Sequence, residues 1–228
     1  MVALFVALMF VGFLLVDVMV QRVQQRNVPA HLEPGWTIPS GVYLAEGHSW
    51  SRPDSSSGVR LGVDALVAHA VGAVEKVVLP GLGQLVKAGE PLFRLERQGR
   101  GFNILSSITG QVVALNNRVV KRPESVSKDP YGSGWICAIT PTESDGGFGR
   151  MRCGQTAALW LEREFHRFRE FLTMQVTPDI NLAVTYPDGG LPRVGSLAEL
   201  PVSGWLAFEA AFLAAGSVGT QASQTVKE

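Results

Sequence analysis

The side chains in this sequence with chemistry to offer are four histidines, two cysteines and a charged cluster around one pair of glycines. His31, His48, His69 and His166 stand apart, and none has the His-Glu-x-x-His spacing that sets two imidazoles on one helical face for zinc. Cys137 and Cys153 are too few for a four-thiolate site or a disulfide framework, and two free thiols fit a reducing compartment. No Gly-x-Ser-x-Gly elbow presents a nucleophilic serine. Gly81-Leu82-Gly83 and Gly99-Arg100-Gly101 lack the Lys-Ser/Thr that completes a phosphate loop. Glu96 has Arg94, Arg97 and Arg100 as neighbours, so its charge is compensated locally without catalysis. These residues predict a protein that is not an enzyme, holds no metal and takes no small-molecule substrate.

The charged cluster sits where two strands meet. Pro91 to Arg97 alternates, with Phe93 and Leu95 on one face and Arg94 and Glu96 on the other, the period of a half-buried strand. Phe102 and Ile104 resume the alternation beyond Gln98-Gly99-Arg100-Gly101, whose glycines supply the positive φ angles of a tight hairpin turn. Thr109-Gly110 makes a second turn into residues 111–115. The tip Glu96, Arg97, Gln98, Gly99, Arg100 and Gly101 is the candidate interaction surface, because arginines suit carboxylates on an acidic partner.

The chain has 228 residues, with twenty basic and twenty acidic side chains, and this balance argues against nucleic-acid binding. Residues 1–20 are apolar except for Gly12 and Asp17, long enough to predict an uncleaved transmembrane anchor. Arg22 and Arg26 follow directly, and the positive-inside bias then places the globular part on the cytoplasmic side of a bacterial-type inner membrane, as a single-pass protein. Residues 21–38 form a linker punctuated by Pro29 and Pro34. From Val59 to Ile139, short apolar strands alternate with glycine and proline turns, and residues 64–71 make one short helix. Residues 135–139 give a late strand in which Cys137 packs. Residues 142–155 have a linker composition. Leu161, Phe165, Phe168 and Leu172 share one face of an amphipathic helix within a helical extension at 156–216. That extension continues through a strand at 174–186 and a second helix around Trp205, Phe208 and Phe212. Residues 217–228 are a polar tail.

The domain at residues 39–141 resembles the H protein of the glycine cleavage system, a lipoyl-bearing carrier. His48-Ser49-Trp50 stands where that family has His-Glu-Trp. Leu61-Gly62-Val63, Ala70-Val71-Gly72 and the run from Val77 to Gly83 follow in the family order. Val86-Lys87-Ala88-Gly89-Glu90-Pro91 is similar to its "VKKGEP" turn, and Ser107-Ile108-Thr109-Gly110-Gln111-Val112 to its "PVSGEV". Asp129-Pro130-Tyr131-Gly132-Ser133-Gly134-Trp135 is similar to its closing "DPYGEGW". The resemblance implies a mainly β protein, a lipoyl-domain-like (hammerhead) β-sandwich or flattened barrel. It also implies structural roles for His48, Trp50, Gly72, Gly89, Gly110, Asp129, Pro130, Tyr131, Gly132 and Trp135.

One position departs from the family. Its lipoylated lysine stands in "ESVKA", and the same five positions here are Glu96-Arg97-Gln98-Gly99-Arg100, with Gly99 at the lysine. An arginine does not replace that amine, because its guanidinium stays protonated. The expectation is therefore a domain without cofactor, its lipoyl group absent. It is a non-catalytic, membrane-anchored scaffold that docks protein partners, as a subunit or accessory factor of a membrane complex. The aromatic residues Trp160, Phe165, Phe168, Trp205, Phe208 and Phe212 are mostly internal, with part of the set facing a partner. The alternative is an H-type carrier that shuttles an aminomethyl group in glycine decarboxylation.

Overall fold

The computed structural model describes residues 37–55, 58–142, 146–175 and 192–214. They all belong to one unit, Glu33–Glu228. The predicted anchor at 1–20, most of the linker at 21–38, residues 176–186 of the predicted strand and the tail at 217–228 lie outside the described residues, while Met174, placed in that strand, instead ends a helix. Among the described residues, no helix is long and apolar enough to cross a membrane.

The alternating segments of the sequence pair into two antiparallel sheets. The larger joins β1 (Tyr43–Leu44), β2 (Ser49–Asp54), β3 (Gly58–Val63), β5 (Leu85–Val86), β8 (Gly110–Leu115), β9 (Cys137–Pro141) and β10 (Arg152–Cys153) in the order β10-β1-β2-β3-β9-β8-β5. The smaller has β4 (Lys76–Val78), β6 (Pro91–Arg97) and β7 (Arg100–Leu105) in the order β4-β6-β7. The predicted hairpin is the β6–β7 pair, and its inward residues Phe93, Leu95, Phe102 and Ile104 are all buried. The two sheets enclose a core that includes Trp50, Leu61, Leu66, Ile108 and Ile136. The mainly β, lipoyl-type fold implied by the resemblance is the fold found.

α1 (Ala65–Val71) forms because Asp64 caps it, accepting the backbone N–H of Leu66 at 3.0 Å and of Val67 at 3.2 Å. Two short helices, α2 (Asn117–Lys121) and α3 (Ser125–Lys128), lead to the Asp129–Trp135 segment. That segment braces the barrel. Trp50 Nε1 donates to the Pro130 carbonyl at 3.0 Å, and Tyr131 Oη accepts the Ala65 amide at 3.1 Å. Asn116 Nδ2 donates to the carbonyls of Ser133 and Trp135. Asp129 accepts the Ser133 amide at 2.6 Å.

Residues 142–155 are more than a linker. Phe148–Arg150 makes a single 3-10 turn, Phe148 packs on Tyr43 at 4.6 Å, and β10 extends the larger sheet on β1. The amphipathic helix is α4 (Gly154–Met174), and Leu161, Phe165, Phe168 and Leu172 are buried as their spacing predicts. The second predicted helix breaks into a 3-10 turn at Ser196–Glu199, α5 (Val202–Phe208) and a π-helical turn at Glu209–Leu213. Pro201 separates the first two, since it cannot continue a helix. The expectation that part of the aromatic set faces a partner is corrected. Trp160, Phe165, Phe168, Trp205, Phe208 and Phe212 are all buried in the common core.

Cys137 is buried on β9, and burial pushes its thiol up to about 12, whereas Cys153 is exposed. Thiolates, not thiols, react with alkylating reagents. The native protein is therefore expected to label at Cys153 and resist at Cys137 until denatured. Native labelling of Cys137 by peptide mapping would contradict the packing described for β9.

Candidate functional site: the β6–β7 hairpin and its clamp

The hairpin closes in a two-residue turn, with Gln98 at φ +52° and Gly99 at φ +71°. A side chain built on Gly99 would meet nothing within 4 Å, so the tip is open. Glu75 on the approach to β4 supports it from one side. Its carboxylate accepts the Gln98 amide at 2.8 Å, and its own amide donates to the Glu96 carbonyl at 3.0 Å. Lys76 Nζ lies 3.0 Å from Glu96 Oε2, and Arg94 Nε lies 3.2 Å from the other oxygen. The hydrogen bond from Lys76, reinforced by Arg94, holds the Glu96 carboxyl below the usual carboxylate range.

The two tip arginines do not project into solvent as a docking surface. Both are half-buried and bonded within the chain. Arg97 Nη1 donates to the Val71 carbonyl at the end of α1. A Cβ on Gly72 would come within 2.7 Å of that guanidinium, which accounts for glycine there. Arg100 donates to the carbonyls of Leu200 and Ala198, the latter at 2.9 Å, and its guanidinium lies 5.3 Å from the Trp205 ring. Phe102 on β7 packs on Trp205 and Phe208, each at 5.7 Å, and Glu209 accepts the Asn103 amide. Residues 196–213 thus clamp the β7 side of the hairpin. The sequence shows Arg97 and Arg100 beside a turn but carries no local sign of the distant carbonyls that bind them.

A second cluster lies where α4 meets the barrel. His48, with φ +58°, is fully buried, and its Nδ1 is 2.7 Å from Asp64 Oδ2. Its Nε2 faces Glu164 Oε2 at 3.4 Å, an ion-pair distance without hydrogen-bond geometry. Glu164 is also 3.1 Å from Arg167. Trp160 stacks on the imidazole at 5.0 Å. Burial alone would lower the His48 pKa, but the charges of Asp64 and Glu164 outweigh it and push it up to about 9. At neutral pH the ring is an imidazolium between two carboxylates, so it positions α4 and offers no neutral base for catalysis. Among the described residues, no three His, Cys, Asp or Glu side chains gather as metal ligands.

A strand hairpin with an open tip thus stands on a two-sheet barrel braced by residues 129–135. Residues 42–155 match the family model described as glycine cleavage H-protein. This chain belongs to the glycine cleavage H-protein family. It is 32% identical over 106 residues to the glycine cleavage system H protein of Thermus thermophilus, covering 46% of this chain and 82% of that one. It is 34% identical over 108 residues to the H protein of Mycobacterium bovis, covering 47% of this chain and 81% of the relative. A probable H protein of Thermoplasma acidophilum is 35% identical over 109 residues, covering 48% and 86%. A crystal structure of an H protein from Mycobacterium marinum aligns with TM-score 0.47 at 27% identity, covering 54% of this chain and 98% of that one.

These relatives overturn the expectation of a non-lipoylated, membrane-anchored scaffold in a membrane complex. They are glycine cleavage system H proteins, and they favour the carrier alternative. The H-protein family implies a lipoyl group held as an amide on a lysine. The tip residues themselves do not fit it. Gly99 has no side chain, and Arg97 and Arg100 are guanidiniums already bonded to carbonyls. Lys76, two-thirds exposed on the neighbouring strand, is a primary amine that does fit.

Proposed function

We propose that this chain serves glycine cleavage as an H-type carrier protein, presenting its β6–β7 hairpin to the protein partners of that system without itself catalysing a reaction. The observation that carries this reading is the family match over residues 42–155, which spans the hairpin, its sheet partners and the brace at 129–135. The roles of the chain's own residues follow from the contacts above. Arg97 and Arg100 fix the hairpin's direction, Asp64 and His48 join the barrel to α4, and the open space at Gly99 lets a partner approach the turn. A lipoyl group, when bound, supplies the mobile attachment for the carried aminomethyl unit.

The test is reconstitution. The other glycine cleavage proteins, freed of their own H protein, are expected to regain glycine-dependent CO2 release when this chain, produced in lipoylation-competent cells, is added. No release and no binding to those proteins, under conditions where an authentic H protein restores the reaction, would refute the reading.

A further inference from the structure

We infer that Lys76 is the acyl-accepting amine of this chain, taking over from the position that Gly99 occupies. The inference rests on the carrier reading and adds to it a modification site. Strand pairing sets Lys76, on the β4 edge of the three-stranded sheet, opposite Glu96, and Glu96 is three residues from Gly99 in sequence. The preceding residue, Glu75, bonds the tip directly through the Gln98 amide. The segment carrying Lys76 is therefore fastened to the turn.

Accessibility points the same way. The clamp formed by residues 196–213 lies against β7, on the far side of the sheet from β4. The Lys76 side chain is 65% exposed on the β4 edge, against which α2 also packs. Lys87 lies before β6, at the hairpin's base, where its carbonyl accepts the Glu90 amide. Lys121 and Lys128 end α2 and α3. Acylation of Lys76 leaves no orphaned charge, because Glu96 keeps Arg94 at 3.2 Å after the ammonium is lost.

The reaction is amide formation with an acyl adenylate, a mixed carboxylic–phosphoric anhydride of the lipoyl group. Lys76 Nζ gives up one proton to solvent and attacks the acyl carbon. The C–O bond to phosphate breaks, adenosine monophosphate leaves with the electron pair, and the second proton is lost as the amide forms. No electrons are exchanged with any oxidant or reductant.

Peptide mapping by mass spectrometry of the full chain, produced in lipoate-supplied cells beside an authentic H protein, tests the assignment. The expected result is one lipoyl adduct on the peptide containing Lys76. It should be lost completely in K76R and kept in K87R and K121R, with all three variants folded by circular dichroism. An unmodified Lys76 beside a modified control, or an adduct on another lysine, overturns it. Failure here is distinct from failure of the carrier reading. An unmodified chain that still binds the glycine cleavage proteins sinks Lys76 alone. A chain modified at Lys76 that neither binds them nor restores CO2 release supports the site and sinks the carrier role.

Discussion

Replacing His48 with alanine is expected to cost about 3 kcal/mol of stability, the lower end of what breaking a buried ion pair costs. The lower end applies because neither carboxylate is left wholly alone. Asp64 keeps the amides of Leu66 and Val67, and Glu164 keeps Arg167. Loss of the Trp160 stack adds to the cost. The pH dependence is a sharper signature than the magnitude. The folded-state pKa of His48 is raised from 6.5 to about 9, so the folded protein holds a proton that the unfolded chain releases. The His48 contribution is therefore full below pH 6.5, declines as pH rises, and is gone above about 9. The decline is about 1.4 kcal/mol per pH unit within that window. Urea denaturation of the parent between pH 6 and 10 should show this slope, and H48A should lack it. The groups facing the ring are Asp64 and Glu164, with Arg167 behind Glu164, so no further titrating partner is needed. Equal slopes in parent and variant would mean that the imidazole is neutral in the folded protein.

The parts of this structure that were legible in the sequence are those written in local periodicity. Phe93, Leu95, Phe102 and Ile104 alternate and are buried, and Leu161, Phe165, Phe168 and Leu172 repeat at helical spacing and are buried. Asp64 announces α1 because a capping side chain acts within three residues of itself. The candidate site was legible only at its turn. His48 meets Asp64 and Glu164 from three separate elements, and no spacing rule connects them. Arg97 and Arg100 look like solvated tip residues until the carbonyls of Val71, Ala198 and Leu200 come over them. A signal was available in part, since a segment holding Trp205, Phe208 and Phe212 must bury those rings somewhere. Lys76 stands beside the hairpin without any local sign of it in the sequence, since β4 pairs with β6 across twenty residues.

The second large effect is expected at Phe208, which decides whether residues 196–213 are an appendage or part of the fold. Phe208 is fully buried and meets Phe212 at 5.0 Å, Phe168 at 5.6 Å, Phe102 at 5.7 Å and Phe171 at 6.1 Å. It joins the hairpin, α4 and the C-terminal segment in one aromatic cluster. Truncation to alanine removes contacts to all three and leaves a cavity that such a cluster closes poorly, so F208A should cost about 3–5 kcal/mol. Arg100 tests the same junction by a different force. R100A removes the bonds to Leu200 and Ala198 and the contact with Trp205, and should cost about 1–3 kcal/mol. Because R100A and W205A remove one shared contact, their effects should fall short of additivity by about 0.5 kcal/mol or more. Lys87, exposed and outside the contacts that make this junction, should tolerate alanine within about 0.5 kcal/mol. If F208A loses less than about 1 kcal/mol, or R100A and W205A prove additive in denaturant melts, the clamp does not hold the hairpin in solution. The β7 side of the tip would then be open to a partner after all.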